Sequence, residues 1–438
     1  MSDALHEKRE INIYVPAGYT KDTATYDVWY AVDGEWDTRL FTNIFNYVVA
    51  MGFAPPSIIV RVPNRYVNGF NLRDRDLTPT RWKDVDSSGG ADQFLDFFEK
   101  ELMPYIRKHY WTNGESALIG SSLGGMFAIY TLLKRPTLFH FYITADPALF
   151  FDDNFVPCLA AKTINQIQYS NTVLNIGGRS GASYHYMVRD VMDSVLRKEA
   201  PASLHWHSAL YDNETHGSSV FKSTYDGIKF AYLGYAARNA QVQPTGGIVV
   251  KDRPVRLFVP TDYADMHYTS DGKEPTTMDT KVDEFLIVSE PEKIKVRSFS
   301  PSGRYDHDLP VKLRTGDYLS PKKISSKKTV LKLLDSTFRP DGSGIMNGYV
   351  SIPKDGYYVL QLTPSEGTKI VFNDSLLLQA DAAMGHARQT IILPLRKGNY
   401  QLRVEHPSKN ASDPALNFGF FSSVDGQDDW WKNRMIRW

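Results

Sequence analysis

Gly120-Ser121-Ser122-Leu123-Gly124-Gly125 sits between the apolar run Ala117-Leu118-Ile119 and a second apolar stretch over residues 126–133. A Gly-x-Ser-x-Gly with an apolar strand before it and an apolar helix after it has the form of a nucleophile elbow. The turn is tight, its neighbours must be small, and the serine hydroxyl stands clear of the sheet at a helix N-terminus. Ser122 is therefore the candidate nucleophile. An alkyl hydroxyl needs a base to take its proton and donors to hold the developing oxyanion. A base is expected in a loop after a late strand, and His216 in Glu214-Thr215-His216-Gly217-Ser218-Ser219 has that place. His205 and His207 fall inside a strand pattern, and His185 opens a helical one. The Leu123 N–H is the expected first oxyanion donor. Gly34 or Glu35, in the turn Asp33-Gly34-Glu35-Trp36, is the expected second.

The elements that must position these groups are readable from periodicity. Strand patterns occur at residues 10–16, 26–32, 57–62, 139–145, 171–176 and 203–209. Helical spacing of Phe94, Phe97, Phe98, Leu102 and Ile106 predicts a helix over 91–110, and another is expected over 186–198. Apolar strands alternating with helices imply an α/β domain with a mostly parallel sheet covered on both faces. That pattern runs to about residue 240. Gln243-Pro244-Thr245-Gly246-Gly247 reads as a linker, and beyond it short alternating runs bounded by Gly, Pro, Asp and Asn predict all-β sandwiches. The expected organisation is an α/β domain over 1–240, then two β-sandwich modules over 248–315 and 325–438.

The chain has 438 residues, with 50 Lys plus Arg against 50 Asp plus Glu, so its charge balance carries no argument for nucleic acid or a membrane surface. Cys158 is the sole cysteine, which excludes a disulfide framework and a cysteine-based zinc site. No apolar run reaches the length of a membrane span, and Met1-Ser2-Asp3-Ala4-Leu5-His6 is polar. The expectation is a cytoplasmic protein, or a periplasmic or secreted one from which a signal peptide has been removed.

Several spaced motifs resemble the enterochelin-esterase and esterase-D-like branch of the α/β-hydrolases. They include Ile13-Tyr14-Val15-Pro16-Ala17-Gly18-Tyr19, Tyr30-Ala31-Val32-Asp33-Gly34, Arg73-Asp74-Arg75-Asp76-Leu77-Thr78-Pro79-Thr80 and Gly89-Gly90-Ala91-Asp92-Gln93-Phe94, besides the elbow, Tyr142-Ile143-Thr144-Ala145-Asp146-Pro147 and His216-Gly217-Ser218. The resemblance spans residues 9–235. It implies an α/β-hydrolase fold and ester hydrolysis by a serine nucleophile without cofactor or metal. The family's usual acid position departs: the strand over 171–176 leads into Gly177-Gly178-Arg179-Ser180-Gly181-Ala182-Ser183, with no carboxylate. Asp146, one strand earlier, is the expected partner of His216. Asp190, Glu214 and an acid-free dyad remain as alternatives. Arg73, Trp36 and Trp82 are expected at the substrate, and Asp76 in a structural clasp.

Met266-His267-Tyr268-Thr269-Ser270-Asp271-Gly272-Lys273-Glu274-Pro275-Thr276 resembles the small sandwich at the C-terminus of chitobiases. Residues 340–422 resemble the protective-antigen-type lectin-like sandwich, through Gly348-Tyr349-Val350-Ser351-Ile352-Pro353 and Leu395-Arg396-Lys397-Gly398-Asn399-Tyr400. The tail from Asp429 to Trp438 is expected to dock on the chain or on a second protomer. Together these features lead to a serine carboxylesterase acting on feruloyl or acetyl esters attached to carbohydrate. The alternatives are a siderophore trilactone esterase, with Arg73, Arg75 and Arg179 forming a basic pocket, and a glycan-binding protein with an inert hydrolase domain.

Overall fold

The computed structural model describes residues 1–20, 25–33, 38–261, 264–283, 285–322, 330–331, 345–381, 387–405, 418–423 and 425–426. The chain forms two compact units, one of residues 1–238 with 300–305, the other of 239–299 with 306–438.

The first unit is built on a seven-stranded sheet. Its strands are β1 (Asn12–Tyr14), β2 (Tyr26–Val32), β3 (Ser57–Val62), β4 (Thr112–Ser121), β5 (Phe141–Ala145), β6 (Thr172–Arg179) and β7 (Leu204–Tyr211). Their order is β1-β3-β2-β4-β5-β6-β7, and only β1 runs antiparallel, against β3. Both faces are covered, which is why β2 reads as a continuous apolar run rather than an alternation. Val28 and Tyr30 face a core containing Phe94, Phe98, Met126, Phe127 and Leu118. Trp29 and Ala31 face a second core containing Phe41, Phe45, Ile119, Ile143, Ile228 and Tyr232.

The covering helices are α1 (Thr38–Ala50), α2 (Ala91–Phe97), α3 (Met103–His109), α4 (Leu123–Lys134), α5 (Phe151–Thr163), α6 (Arg189–Glu199) and α7 (Ser219–Ala231). The helix expected over 91–110 contains a π-helical turn, Phe98–Leu102, between α2 and α3. Pro104 lacks an N–H and would crowd the carbonyl four residues back, and the wider turn accommodates it. The helix expected over 186–198 begins instead at Arg189, after a short helix Ala182–Tyr186, because Val188 takes a left-handed conformation at φ 59°. Residues 300–305 belong to this unit. Arg304 pairs with buried Asp27 at 2.9 Å, and Tyr305 packs on Tyr232 and Tyr235.

The described residues of the second unit are strands and loops apart from short 3-10 turns. Two five-stranded sheets enclose a core of Val350, Ile352, Tyr358, Leu360, Ile370, Leu393, Tyr400 and Leu402. A four-stranded sheet carries His267 and Tyr268 on Asp265–Thr269, paired with Lys295–Phe299. The expected linker differs: Gly246–Val249 is a strand, pairing parallel with Gln389–Leu395 and Leu313–Thr315. The glycines there answer a close backbone approach, since a Cβ on Gly247 would stand 2.1 Å from the Ile392 carbonyl oxygen. The tryptophan-rich tail from Asp429 lies outside the described residues.

Candidate active site

In a parallel sheet the C-terminal ends of the strands gather at one edge, and the loops there hold the chemistry. Ser122 follows β4, Asp146 follows β5, and His216 lies between β7 and α7. Ser122 sits at φ 53° and ψ −118°, a strained conformation that projects its side chain from the strand–helix corner. Its N–H donates to the Ala145 carbonyl at 2.9 Å, and its carbonyl accepts from Ala148 at 3.0 Å. These bonds tie the elbow to the chain on either side of Asp146. The corner closes only because residue 120 lacks a side chain: a Cβ there would stand 2.4 Å from the Gly124 carbonyl carbon and oxygen. α4 runs from Leu123 beneath the sheet edge, buried as far as Leu133. Its first N–H, on Leu123, has no intrahelical acceptor and is available to an oxyanion.

Asp146 has no solvent exposure. Its Oδ2 accepts from His216 Nδ1 at 2.7 Å and from Arg179 Nε at 2.6 Å, and its Oδ1 accepts from the Arg179 N–H at 3.3 Å. Burial alone would raise this carboxyl, but the hydrogen bonds from His216 and Arg179 and the guanidinium charge hold it below the usual carboxylate range. With Nδ1 committed to Asp146, His216 presents Nε2 as the free ring nitrogen. The other candidate acids are engaged elsewhere: Asp190 with His185 at 2.7 Å, and Glu214 with Lys222 at 2.6 Å and with Ser218. Among the described residues, Ser122 Oγ and His216 share no hydrogen bond. Such contacts are commonly long without substrate and tighten when it binds.

Beneath the pair lies Arg189, with its guanidinium fully buried. It donates to the Ile176 carbonyl at 2.9 Å and to Ser208 Oγ at 2.8 Å. Burial pulls its pKa below the ordinary arginine value. Gly178 lies between the two charges, since a Cβ on it would meet Asp146 Oδ1 at 2.6 Å and Arg189 Nη1 at 2.7 Å. Sequence reasoning missed the roles of Arg179 and Arg189. The only local signal was the Gly177-Gly178-Arg179 run where a carboxylate was expected.

The residues expected at the substrate fare differently. Gly34, Glu35 and Trp36 lie outside the described residues. Arg73 pairs with the buried Asp33 through both Nε, at 3.0 Å, and Nη2, so its charge is already met. Trp82 packs edge-on against Phe151, with centroids 4.9 Å apart, on the margin of the core. Asp76 forms the expected clasp, with Arg9 at 2.6 Å and Arg75 at 2.8 Å, while Glu7 takes Arg75 at 2.7 Å. The basic pocket expected from Arg73, Arg75 and Arg179 is thereby corrected, because each of these guanidiniums faces its own carboxylate. A carboxylate in hydrogen-bond contact neutralises the cation before a substrate arrives. Among the described residues no cluster of His, Cys, Asp and Glu could hold a metal, and no helix is long and apolar enough to cross a membrane.

Residues 2–150 match the family model described as putative esterase. The chain is 26% identical over 195 residues to the ferri-bacillibactin esterase BesA of Bacillus subtilis, covering 40% of this chain and 66% of that protein. It is 26% identical over 124 residues to the siderophore enterobactin esterase of Emericella nidulans, covering 27% of this chain and 41% of that one. Among solved structures, an IroE-like serine hydrolase from Shewanella oneidensis shares 30% identity at a TM-score of 0.49, over 53% of this chain and 78% of that chain. The chain thus spans 66% and 41% of these two curated relatives' lengths. The N-terminal unit carries a match to the putative esterase family over residues 2–150, together with the parallel sheet and strand–Ser122–helix elbow of an α/β-hydrolase, and it resembles the enterochelin-esterase-like branch of that fold.

Proposed function

We propose that the N-terminal unit is a serine carboxylesterase acting on ester bonds of siderophores. The observation that carries the chemistry is the Asp146–His216 contact at 2.7 Å on the same sheet edge as the strained Ser122. The substrate class draws on the relatives, which are named as siderophore esterases. The feruloyl or acetyl ester on carbohydrate expected from the sequence has no counterpart among them.

In this reading His216 Nε2 takes the proton of Ser122 Oγ as the oxygen bonds to the ester carbonyl carbon. The Leu123 N–H stabilises the oxyanion that forms. Collapse breaks the carbon–oxygen bond to the alcohol, which leaves with the proton from His216 and yields an acyl-enzyme on Ser122. Water, deprotonated by His216, then adds to the acyl carbon, and collapse releases the acid and restores the serine. Asp146 holds the imidazole in the tautomer this cycle needs and stabilises its cation. Arg179 fixes the carboxylate from the other side.

The test is hydrolysis of a ferric tricatecholate trilactone and of methyl ferulate by the full chain and by Ser122→Ala. The expected result is turnover of the trilactone, at least about tenfold preference over methyl ferulate in kcat/KM, and loss of activity in the variant. Turnover of methyl ferulate alone would replace the siderophore reading. Equal rates with Ser122→Ala would remove the esterase.

A further inference from the structure

Beyond β3, at the sheet edge that carries Ser122, lies a cavity of about 720 Å3 whose walls include Lys8, Arg9, Arg61, Asn64, Arg65 and Tyr66. The acid among its lining residues is Glu10, which accepts from Asn12 at 3.1 Å. Arg9 is consumed by Asp76 and Glu7. Lys8, Arg61 and Arg65 have no carboxylate in ion-pair contact among the described residues. Arg61 Nε is buried and has no hydrogen-bond partner there, and its Nη1 reaches Asn12 only at 3.5 Å. The Arg61 side chain nevertheless forms part of the cavity wall and its charge is met by no carboxylate there, so an incoming oxyanion would pair with the guanidinium.

Two further features narrow the ligand. The hairpin of Tyr66–Val67 and Phe70–Asn71 continues the wall outward, with Phe70 74% exposed and Tyr66 43% exposed. Exposed aromatic rings beside cations suit a planar aryl group that carries negative oxygens. The strand order β1-β3-β2-β4 puts the cavity two strands from the nucleophile, roughly 10 Å away at ordinary strand spacing. Asn64 donates to Asp33 at 2.8 Å and so joins the cavity wall to the end of β2.

We infer that this cavity is a subsite for an aryl oligoanion: vicinal oxyanions meet Lys8, Arg61 and Arg65 while the aromatic hairpin stacks on the ring. The inference rests on the siderophore-esterase reading and assigns the anionic arm of the substrate a place the sequence did not suggest. A substrate that carries such an arm would lay it here with its ester at Ser122.

The test uses the full chain and the ferric complex of 2,3-dihydroxybenzoate as probe, with calorimetric binding at two salt concentrations. Lys8 and Arg65 are exposed, so Lys8→Gln/Arg65→Gln is the first variant, with melting checked alongside, and Arg61→Gln is the second. The expected result is binding by the wild-type chain that weakens with salt, a loss of about tenfold in affinity in the double variant, and a further loss with Arg61→Gln. The ratio of kcat/KM on the ferric trilactone to that on p-nitrophenyl acetate falls by about the same factor. No binding by the wild-type chain, or affinity unchanged in folded variants, overturns the subsite. Probe binding lost in the variants while no trilactone is hydrolysed leaves the subsite standing and removes the siderophore-esterase reading. Trilactone hydrolysis with an unmoved KM in the variants does the reverse.

Discussion

His216 Nδ1 lies 2.7 Å from Oδ2 of Asp146, a carboxylate with no exposure to solvent. The two residues are 70 positions apart in sequence, brought together by loops after β5 and β7. Because the carboxylate is buried, no water competes with the imidazole for it, and the tautomer that leaves Nε2 free is fixed. Replacing Asp146 with Asn should reduce kcat by about 10³–10⁴-fold, the cost of the wrong tautomer and the lost charge. Asp190→Asn and Glu214→Gln should stay within about threefold of wild type, since those acids serve His185 and Lys222. Steady-state kinetics on a soluble ester checks all three.

Asp146 also links stability to pH. Its carboxyl is held below the usual range, so its contribution is fully present above the unfolded value of about 3.9 and is lost as pH falls through the lower folded value. Asp146→Asn should therefore lower Tm by a constant amount between about pH 5 and pH 8, with the difference from wild type shrinking only below about pH 4. Thermal melts across that range check the window.

Arg179 donates to the same Asp146 Oδ2 that accepts from His216, and so helps to fix the carboxylate that orients the ring. Arg179→Gln should lower kcat by about tenfold while KM stays within about twofold, because that carboxylate loses a charge-assisted hydrogen bond. Steady-state kinetics on a soluble ester checks it, and a merely structural role would lower Tm without that loss of kcat.

Two glycines separate fold from site. Ala at 120 would collide with backbone atoms of Gly124, which cannot give way without opening the elbow. Gly120→Ala should cost about 1–3 kcal/mol of stability and abolish activity. Ala at 178 would instead press on Asp146 Oδ1 and Arg189 Nη1. Gly178→Ala should lower kcat by about a hundredfold through a displaced carboxylate, with a smaller change in Tm. Denaturation and kinetics on both variants distinguish the two effects.

The parts of this chain legible in the sequence are those with local causes. An apolar run, a glycine, a serine and an apolar helix are contiguous, so the Ser122 elbow could be read directly. His216 could be placed because strand order fixes which loops share an edge, and the same rule reached Asp146 once the position after β6 proved empty of acids. Partner choice among arginines was not legible. Arg73 lies 40 residues from Asp33, and Arg304 lies 277 from Asp27, and no local pattern records such pairings. The cations at Lys8, Arg61 and Arg65 escaped notice for the same reason, since only the antiparallel pairing of β1 with β3 assembles them. The helix break at Val188 and the strand at Gly246–Val249 were also missed, because tertiary contacts there override local propensity.

The central claim is that Ser122 is made nucleophilic by His216 and carries the acyl group. Intact-protein and peptide mass spectrometry after treatment with a fluorophosphonate tests it most directly. A single adduct on the peptide containing Ser122 is expected, formed in parallel with loss of esterase activity and slowed by His216→Ala. An adduct elsewhere, or full activity remaining after Ser122 is labelled, would contradict it.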